Sequence, residues 1–216
     1  MSHWIALAVV TAVGLVVGLG VRARLGTRSY RYADESGPQR SLAWVPSASA
    51  GASAAVGWGL REWPVLVQLT ALVAAWMMIA LAAIDLDVHR LPRQLTWPSY
   101  PALAILLAGC SVTVGGWAAY GRAVGCGFAA WSLYYLLHRL ARRRGLGRGD
   151  VTLAGLIGML LGWFSWPAVV VATYAAFLLG GVGALALLLA GRVTRQSNIA
   201  FGPAMLAGAF VVLVLQ

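Results

Sequence analysis

Eight apolar runs, each separated from the next by a short polar or glycine-containing connection, constrain this chain more than any other feature. Hydrophobic residues make up 61% of the chain and charged residues only 10%, whereas a soluble domain is nearer one half and one quarter. At roughly 20 residues per membrane-spanning helix, 216 residues hold seven or eight spans and little else. We therefore predict an all-α, polytopic membrane helical bundle of about eight transmembrane helices. The predicted spans are residues 4–21, 45–60, 63–84, 98–114, 117–137, 151–164, 168–190 and 200–215.

The arginines are distributed unevenly among the connections between these spans. Fourteen of the sixteen lie in connections one, three, five and seven, counted from the N-terminus. Because positively charged loops stay on the cytoplasmic side, the alternation predicts that these four connections are cytoplasmic and that both termini lie outside. It also supports the weakly hydrophobic span at residues 45–60, whose small residues favour close helix packing. No repeat or linker divides residues 1–216, so we expect a single transmembrane domain.

The net charge is +10, and every Lys/Arg position in the chain is arginine. The arginines lie between apolar runs, so we do not expect nucleic acid as a partner. We expect anionic lipid headgroups instead. The two cysteines, Cys110 and Cys126, lie inside apolar runs and lack metal-binding spacing. We therefore expect them to be buried core residues, and we expect no metal and no cofactor.

Acidic residues are rare, and three of the six lie at predicted membrane boundaries. Asp85 and Asp87 end the third span and Asp150 opens the sixth, all on the predicted cytoplasmic side. One interpretation is that each pairs with a nearby arginine (Arg90, Arg93 or Arg148). The other is an aspartyl dyad, in which one carboxyl keeps a proton while its partner activates water. Residues two apart on a helix point about 200° apart, so only one of Asp85 and Asp87 can join Asp150, and spacing alone does not select it.

Three glycines precede the last of these acids. Gly145, Gly147 and Gly149 leave the backbone unencumbered, so a peptide strand could approach closely; a flexible turn is the simpler alternative. Three other functions stay open at this stage. They are a proton-coupled transporter using Asp85 and Asp150 as protonation sites, a lipid-headgroup enzyme with a metal held by the three aspartates, and an inactive assembly subunit. The transporter is disfavoured because the chain shows no inverted repeat.

Three motifs resemble those of the type IV prepilin peptidases. In the first, Asp85 is followed by Pro92 and then by Leu95-Thr96. The second, Gly145-Leu146-Gly147-Arg148-Gly149-Asp150, is similar to the GxGD signature that these enzymes share with presenilin-like intramembrane aspartyl proteases. The third is Phe201-Gly202-Pro203. The motifs occur in the order expected for that family.

The resemblance implies a bacterial aspartic endopeptidase of the inner (cytoplasmic) membrane, which removes the short basic leader of prepilins or pseudopilins at the cytoplasmic face. It assigns catalysis to Asp85 and Asp150, because Asp85 holds the position seven residues before the proline. Asp87 then becomes a non-catalytic neighbour, which we hypothesise holds the positive charge of the leader. The other motif residues expected near the substrate are Asp87, Pro92, Gly147, Gly149, Gly202 and Pro203.

Two features depart from the family pattern. Residues 22–44 form a short cytoplasmic loop without cysteine, where many members carry a large cysteine-bearing insert tied to N-methylation. We therefore expect peptidase activity without methyltransferase activity. Thr152 stands two residues after the GxGD aspartate, where many members have lysine.

A few polar residues outside the motifs also carry expectations. His89 and His138 follow the ends of spans and are expected to be interfacial. Arg122 lies near the predicted outer face, on the same side as Glu62, and the two are expected to form a structural ion pair.

Overall fold

A computed structural model describes residues 2–32, 37–140, 147–191 and 200–216. Within these residues the chain forms eight α-helices and no strand, which confirms the predicted all-α architecture. One helix forms at each of the eight predicted spans. The helices are α1 Ser2–Gly26, α2 Val45–Gly59, α3 Val65–Val88, α4 Arg93–Val114, α5 Trp117–Leu140, α6 Arg148–Phe164, α7 Trp166–Leu189 and α8 Gly202–Val214.

Several helices extend beyond the apolar runs that predicted them. α1 continues through Arg22 and Arg24, and α4 begins at Arg93 although its apolar run begins at Pro98. Hydropathy marks only the part of a helix that suits hydrocarbon, whereas the backbone hydrogen bonds continue through polar turns until a cap ends them. The connection between α3 and α4 is consequently only four residues long.

Among the described residues, four helices are long and apolar enough to cross a membrane, judged by length and composition: His3–Gly26, Val65–Val88, Arg93–Val114 and Trp166–Leu189. Gly202–Val214 is a shorter apolar helix. With 15 and 17 residues, α2 and α6 are shorter than the roughly 20 residues that a perpendicular span needs. The helical membrane bundle is therefore established, and the crossing of the membrane by all eight helices stays a prediction.

α6 forms the centre of the bundle. All its residues from Asp150 to Trp163 are buried except Thr152, and it packs on α4, α5, α7 and α8. Its most extensive contact is with α5, and a Cβ atom at Gly158 would lie 2.7 Å from the carbonyl oxygen of Cys126. The absence of that side chain lets the two helix backbones come together.

α8 lies between the two helices that carry the aspartates. It contacts both α3 and α6, whereas no Cα atom of α3 lies within 8 Å of one of α6 among the described residues. Apolar side chains from all three helices share one buried cluster, which includes Leu81, Leu153 and Met205. Polar groups of α3 and α6 can therefore approach each other only through their side chains, beside the N-terminus of α8.

The described residues of the arginine-rich connections and the helix ends beside them lie at one end of the bundle. Leu91, between α3 and α4, packs against Gly149 at the start of α6. Arg31, in the first connection, binds Asp87 at the end of α3. The N-terminus of α8, which follows the seventh connection, lies at the same end. The membrane face on which this end lies stays a prediction.

Candidate active site

Asp85 lies in the last turn of α3. The helix ends there because His89 adopts the left-handed conformation at φ 52°, and its amide donates to the carbonyl oxygen of Asp85 at 2.9 Å. Only 4% of Asp85 is exposed, and its Oδ2 has no hydrogen-bond partner among the described residues. Buried polar atoms are usually paired, so this oxygen is the kind of group that a water or a substrate satisfies.

The N-terminus of α8 is directed at this carboxyl. A Cβ atom at Gly202 would lie 2.5 Å from Oδ2 of Asp85, closer than any side chain tolerates. The Gly202 amide faces the carboxyl, although Oδ2 accepts no hydrogen bond from the described residues. Pro203 fits the first turn of α8 because no intrahelical acceptor awaits its missing N–H. A helix N-terminus carries a partial positive charge, so α8 provides a favourable electrostatic environment for negative charge on Asp85.

Asp150 occupies an equivalent environment at the N-terminus of α6. It is the third residue of that helix, it is 8% exposed, and its Oδ2 accepts a hydrogen bond from the Gly147 amide at 2.9 Å. A carboxylate at this position satisfies one of the unpaired helical N–H groups. The charge of Asp150 acts electrostatically on the Asp85 carboxyl. Two buried carboxyls from distant parts of the sequence thus interact, each beside a helix N-terminus.

Contact between the first two motifs brings these helix ends together. Pro92 is the N-cap of α4 in extended conformation, and the preceding Leu91 is buried. A Cβ atom at Gly149 would lie 3.0 Å from the Cβ atom of Leu91. The close approach that we expected a substrate strand to make at Gly149 is therefore made by the chain itself. Gly145 lies outside the described residues.

Gly147 has a different part in the same motif. Its φ of −76° and ψ of 159° are available to any residue, and it is exposed. A Cβ atom there would meet Asp150 Oδ2 at 3.4 Å, an ordinary contact distance. What Gly147 contributes in this structure is its backbone amide, which binds Asp150.

Asp87 points away from this pair, as helix geometry requires for a residue two positions from Asp85. Its side chain is fully buried and forms an ion pair with Arg31 at 2.7 Å. Arg31 lies in the first connection, so the interpretation that each acid pairs with Arg90, Arg93 or Arg148 does not hold for Asp87. In the described part of the chain, Asp85 forms no ion pair. With Asp87 held by Arg31, the three aspartates do not converge as a metal site would require.

Two residues of α5 that sequence reasoning did not connect with Asp150 also lie near it. Tyr134 is buried and interacts electrostatically with Asp150, as does His138, which we expected to be only interfacial. The two are four residues apart and so share a helix face. That spacing was visible in the sequence, but nothing in it indicated that the shared face is turned toward α6.

The expected pair between Arg122 and Glu62 is wrong. The Arg122 guanidinium instead donates to the carbonyl oxygens of Gly162, Trp163 and Phe164, with 2.8 Å for the first and last. These are terminal carbonyls of α6, which have no intrahelical donor. Glu62 pairs with its neighbour Arg61 at 3.4 Å.

The fold and this site together define a helical membrane protein with a buried pair of interacting carboxyls. Comparison with known proteins extends that description, because the model of the Type IV leader peptidase family matches residues 72–185, more than half of the chain. The chain belongs to this family. The matched region contains Asp85 and Asp150, whereas Phe201-Gly202-Pro203 lies beyond it.

Curated relatives support the same assignment. The chain is 34% identical over 162 residues to the prepilin leader peptidase/N-methyltransferase of Aeromonas hydrophila, covering 74% of this chain and 51% of that protein. The proteins of the same name from Aeromonas salmonicida and Dickeya chrysanthemi are 33% and 32% identical, covering 73% of this chain and 50% and 54% of those proteins. The chain thus spans about half the length of these relatives. No solved structure matches it significantly.

Proposed function

We propose that this protein is an aspartic endopeptidase that cleaves the basic leader of type IV prepilins or pseudopilins at the cytoplasmic face of the bacterial inner membrane. The observation that carries the proposal is the interaction of Asp85 and Asp150, two buried carboxyls beside separate helix N-termini, in a chain of the leader peptidase family. The name of the relatives motivates the choice of substrate. Methyltransferase activity is not part of the proposal, because residues 22–44 are short and lack cysteine.

The chemistry needs one carboxylate and one carboxylic acid. The carboxylate takes a proton from water, the hydroxide adds to the scissile carbonyl carbon, and the acid gives its proton to the carbonyl oxygen. The tetrahedral species then collapses as the carboxyl that took the first proton delivers it to the leaving nitrogen. Its partner removes a proton from one hydroxyl, so both groups return to their starting states. Two carboxyls that repel each other's charge share one proton readily.

The site also accounts for the form of the substrate. Because no Cα atom of α3 approaches within 8 Å of α6 among the described residues, the two carboxyls reach each other through their side chains. A peptide bond inside a helix is shielded by its neighbours, so the leader junction must be extended where it reaches this pair. The arginine-rich connections at this end favour the cytoplasmic face and contacts with anionic lipid headgroups.

The test is cleavage of a co-expressed, epitope-tagged type IV prepilin, followed by the mobility of the pilin on an immunoblot. Asp85→Asn and Asp150→Asn should each abolish processing. Glu62→Gln is the matched control, because Glu62 is an exposed acid at the other end of the bundle, and it should process normally. Full processing by either dyad variant, at normal levels in the membrane, would refute the mechanism.

A further inference from the structure

The Asp87 carboxylate is the most heavily hydrogen-bonded acid in the described part of the chain. Its Oδ1 accepts from the Arg31 guanidinium and from the Arg40 amide, both at 2.8 Å. Its Oδ2 accepts from the Tyr30 hydroxyl at 2.7 Å and from the Arg31 Nε at 2.9 Å. The Asp87 side chain is fully buried and that of Arg31 is 8% exposed. A carboxylate satisfied in this way has no oxygen left for the positive charge of a leader while these contacts hold.

These bonds fasten the first connection to the end of α3. Every described donor to Asp87 lies between Tyr30 and Arg40, and Arg31 also donates to the carbonyl oxygen of Gly37 in the same segment. The Asp87 hydrogen bond and burial raise the pKa of Tyr30, burial having the larger effect, so the tyrosine stays a donor at neutral pH. Tyr30 and Arg31 thus both bind this one carboxylate.

A second contact set holds the same two segments together. The Arg90 guanidinium donates to the carbonyl oxygen of Tyr30 at 2.9 Å and lies 3.7 Å above the ring of Tyr32. Arg90 immediately follows the C-cap of α3 at His89. The first connection therefore binds the chain on both sides of the residue that ends the helix.

Asp85 shares this last turn with Asp87 but faces the opposite way. Terminal helical turns fray because their carbonyls lack intrahelical donors, and a rotation of this turn would redirect both side chains at once. Asp87 is anchored on one side of the turn, whereas Oδ2 of Asp85 has no hydrogen-bond partner among the described residues. The contacts of Asp87 therefore restrain the turn that carries Asp85.

We propose that Asp87 and Arg31 form a positioning pair, which anchors the first connection to α3 and thereby holds the Asp85 carboxyl toward Asp150 and the N-terminus of α8. This inference rests on the proposed dyad and assigns these two residues a part in its geometry. Neither residue touches the reacting atoms, since both lie on the side of α3 turned away from Asp150.

The experiment measures kcat and KM for prepilin cleavage by the full-length protein in detergent. Asp87→Asn and Arg31→Gln should each lower kcat by about 100-fold, the loss expected from a displacement of about 1 Å in a catalytic group. KM should stay within about twofold of the wild-type value, because no substrate contact is removed. The Asp87→Asn/Arg31→Gln double variant should be no slower than the slower single variant, because both changes break one pair.

The pH profile of kcat distinguishes a positioning role of the pair from a purely structural one. If the pair positions Asp85, the pH profile of the activity that remains in the variants should move along the pH axis. The reason is that the spacing of two coupled carboxyls governs how they titrate together. Loss of folded protein alone would lower the amplitude and leave the shape unchanged. Arg24→Gln removes an exposed arginine from the end of α1, outside this network, and should leave kcat and the profile unchanged.

Each other outcome overturns the inference. A positioning pair would be excluded by any of three results: wild-type kcat in both single variants, additive losses in the double variant, or an unchanged pH profile. A raised KM at normal kcat would make Asp87 a substrate-binding residue, and complete inactivity would place it in the chemistry.

Asp85→Asn and Asp150→Asn are assayed in parallel. Activity in those variants would refute the dyad itself, whereas their inactivity beside normal Asp87→Asn refutes only the positioning pair.

Discussion

Replacement of Gly202 by alanine tests the relation between α8 and Asp85 most directly. The added Cβ atom would lie 2.5 Å from Oδ2 and 3.1 Å from Cγ of Asp85. Ordinary contact between such atoms begins near 3.5 Å, so the carboxyl and the helix N-terminus must separate by about 1 Å. The obstructing group is a short carboxyl near its own backbone, which cannot swing aside as a long side chain would.

Two costs follow, and they differ in size. Forcing an extra methyl group into a packed interior destabilises a protein by about 1–3 kcal/mol, which lowers Tm by roughly 2–4 °C per kcal/mol in a chain of this length. Moving one member of the dyad by about 1 Å lowers kcat by about 100-fold. We therefore expect Gly202→Ala to be mostly folded at 25 °C and nearly inactive.

The assay compares kcat for prepilin cleavage with the thermal melting of the same detergent-purified preparation. Gly181→Ala is the matched control, because it makes the same change in the interior of α7 and its Cβ atom would meet nothing within 4 Å. It should keep wild-type kcat. Wild-type kcat in folded Gly202→Ala, or an equal loss in Gly181→Ala, would show that contact between α8 and Asp85 does not control catalysis.

Three further predictions concern the surroundings of the dyad. Gly149→Ala should lower cleavage more than Gly147→Ala in the same assay, because its Cβ atom would meet Leu91 at 3.0 Å whereas a Cβ atom at Gly147 makes an ordinary contact at 3.4 Å; the reverse order would contradict this. Arg122→Ala should lower the free energy of unfolding by about 1–3 kcal/mol, because three carbonyls at the end of α6 lose their donor, whereas exposed Arg61→Ala should leave the melting temperature unchanged. The rate of cleavage should follow a bell-shaped dependence on pH. It should fall at low pH, when both dyad carboxyls are protonated, and at high pH, when both are ionised. A single sigmoidal dependence would argue against a shared proton.

The helices and the separation of the two neighbouring aspartates could be predicted because both depend on local properties. An apolar run of sufficient length has little alternative to a helix in a bilayer, since lipid offers its backbone no hydrogen-bond partners. Likewise, Asp85 and Asp87 must point in different directions on any continuous helix, and α3 continues through Asp87 to Val88. The motif spacing then placed the chain in a family that the comparison confirmed.

The partners of the charged residues could not be predicted in the same way. Arg31 binds Asp87 although Arg90 and Arg93 are far closer in sequence, and Arg122 binds the end of α6 rather than Glu62. Sixteen arginines compete for six acids and many helix-terminal carbonyls, so the choice among them depends on which segments the fold brings together. Sequence distance carries almost no information about that choice.

The sequence by itself determined the class of fold, the number of helices and the residues from which a dyad can be built, because hydropathy and helical periodicity act over a few turns. The tertiary structure alone decided how those residues are held. It places α8 between α3 and α6, packs Leu91 on Gly149 and fastens the first connection to Asp87. These contacts join segments far apart in the chain, and they form only where several helix ends meet at close range. Gly149 and Gly202 permit that approach by having no side chain.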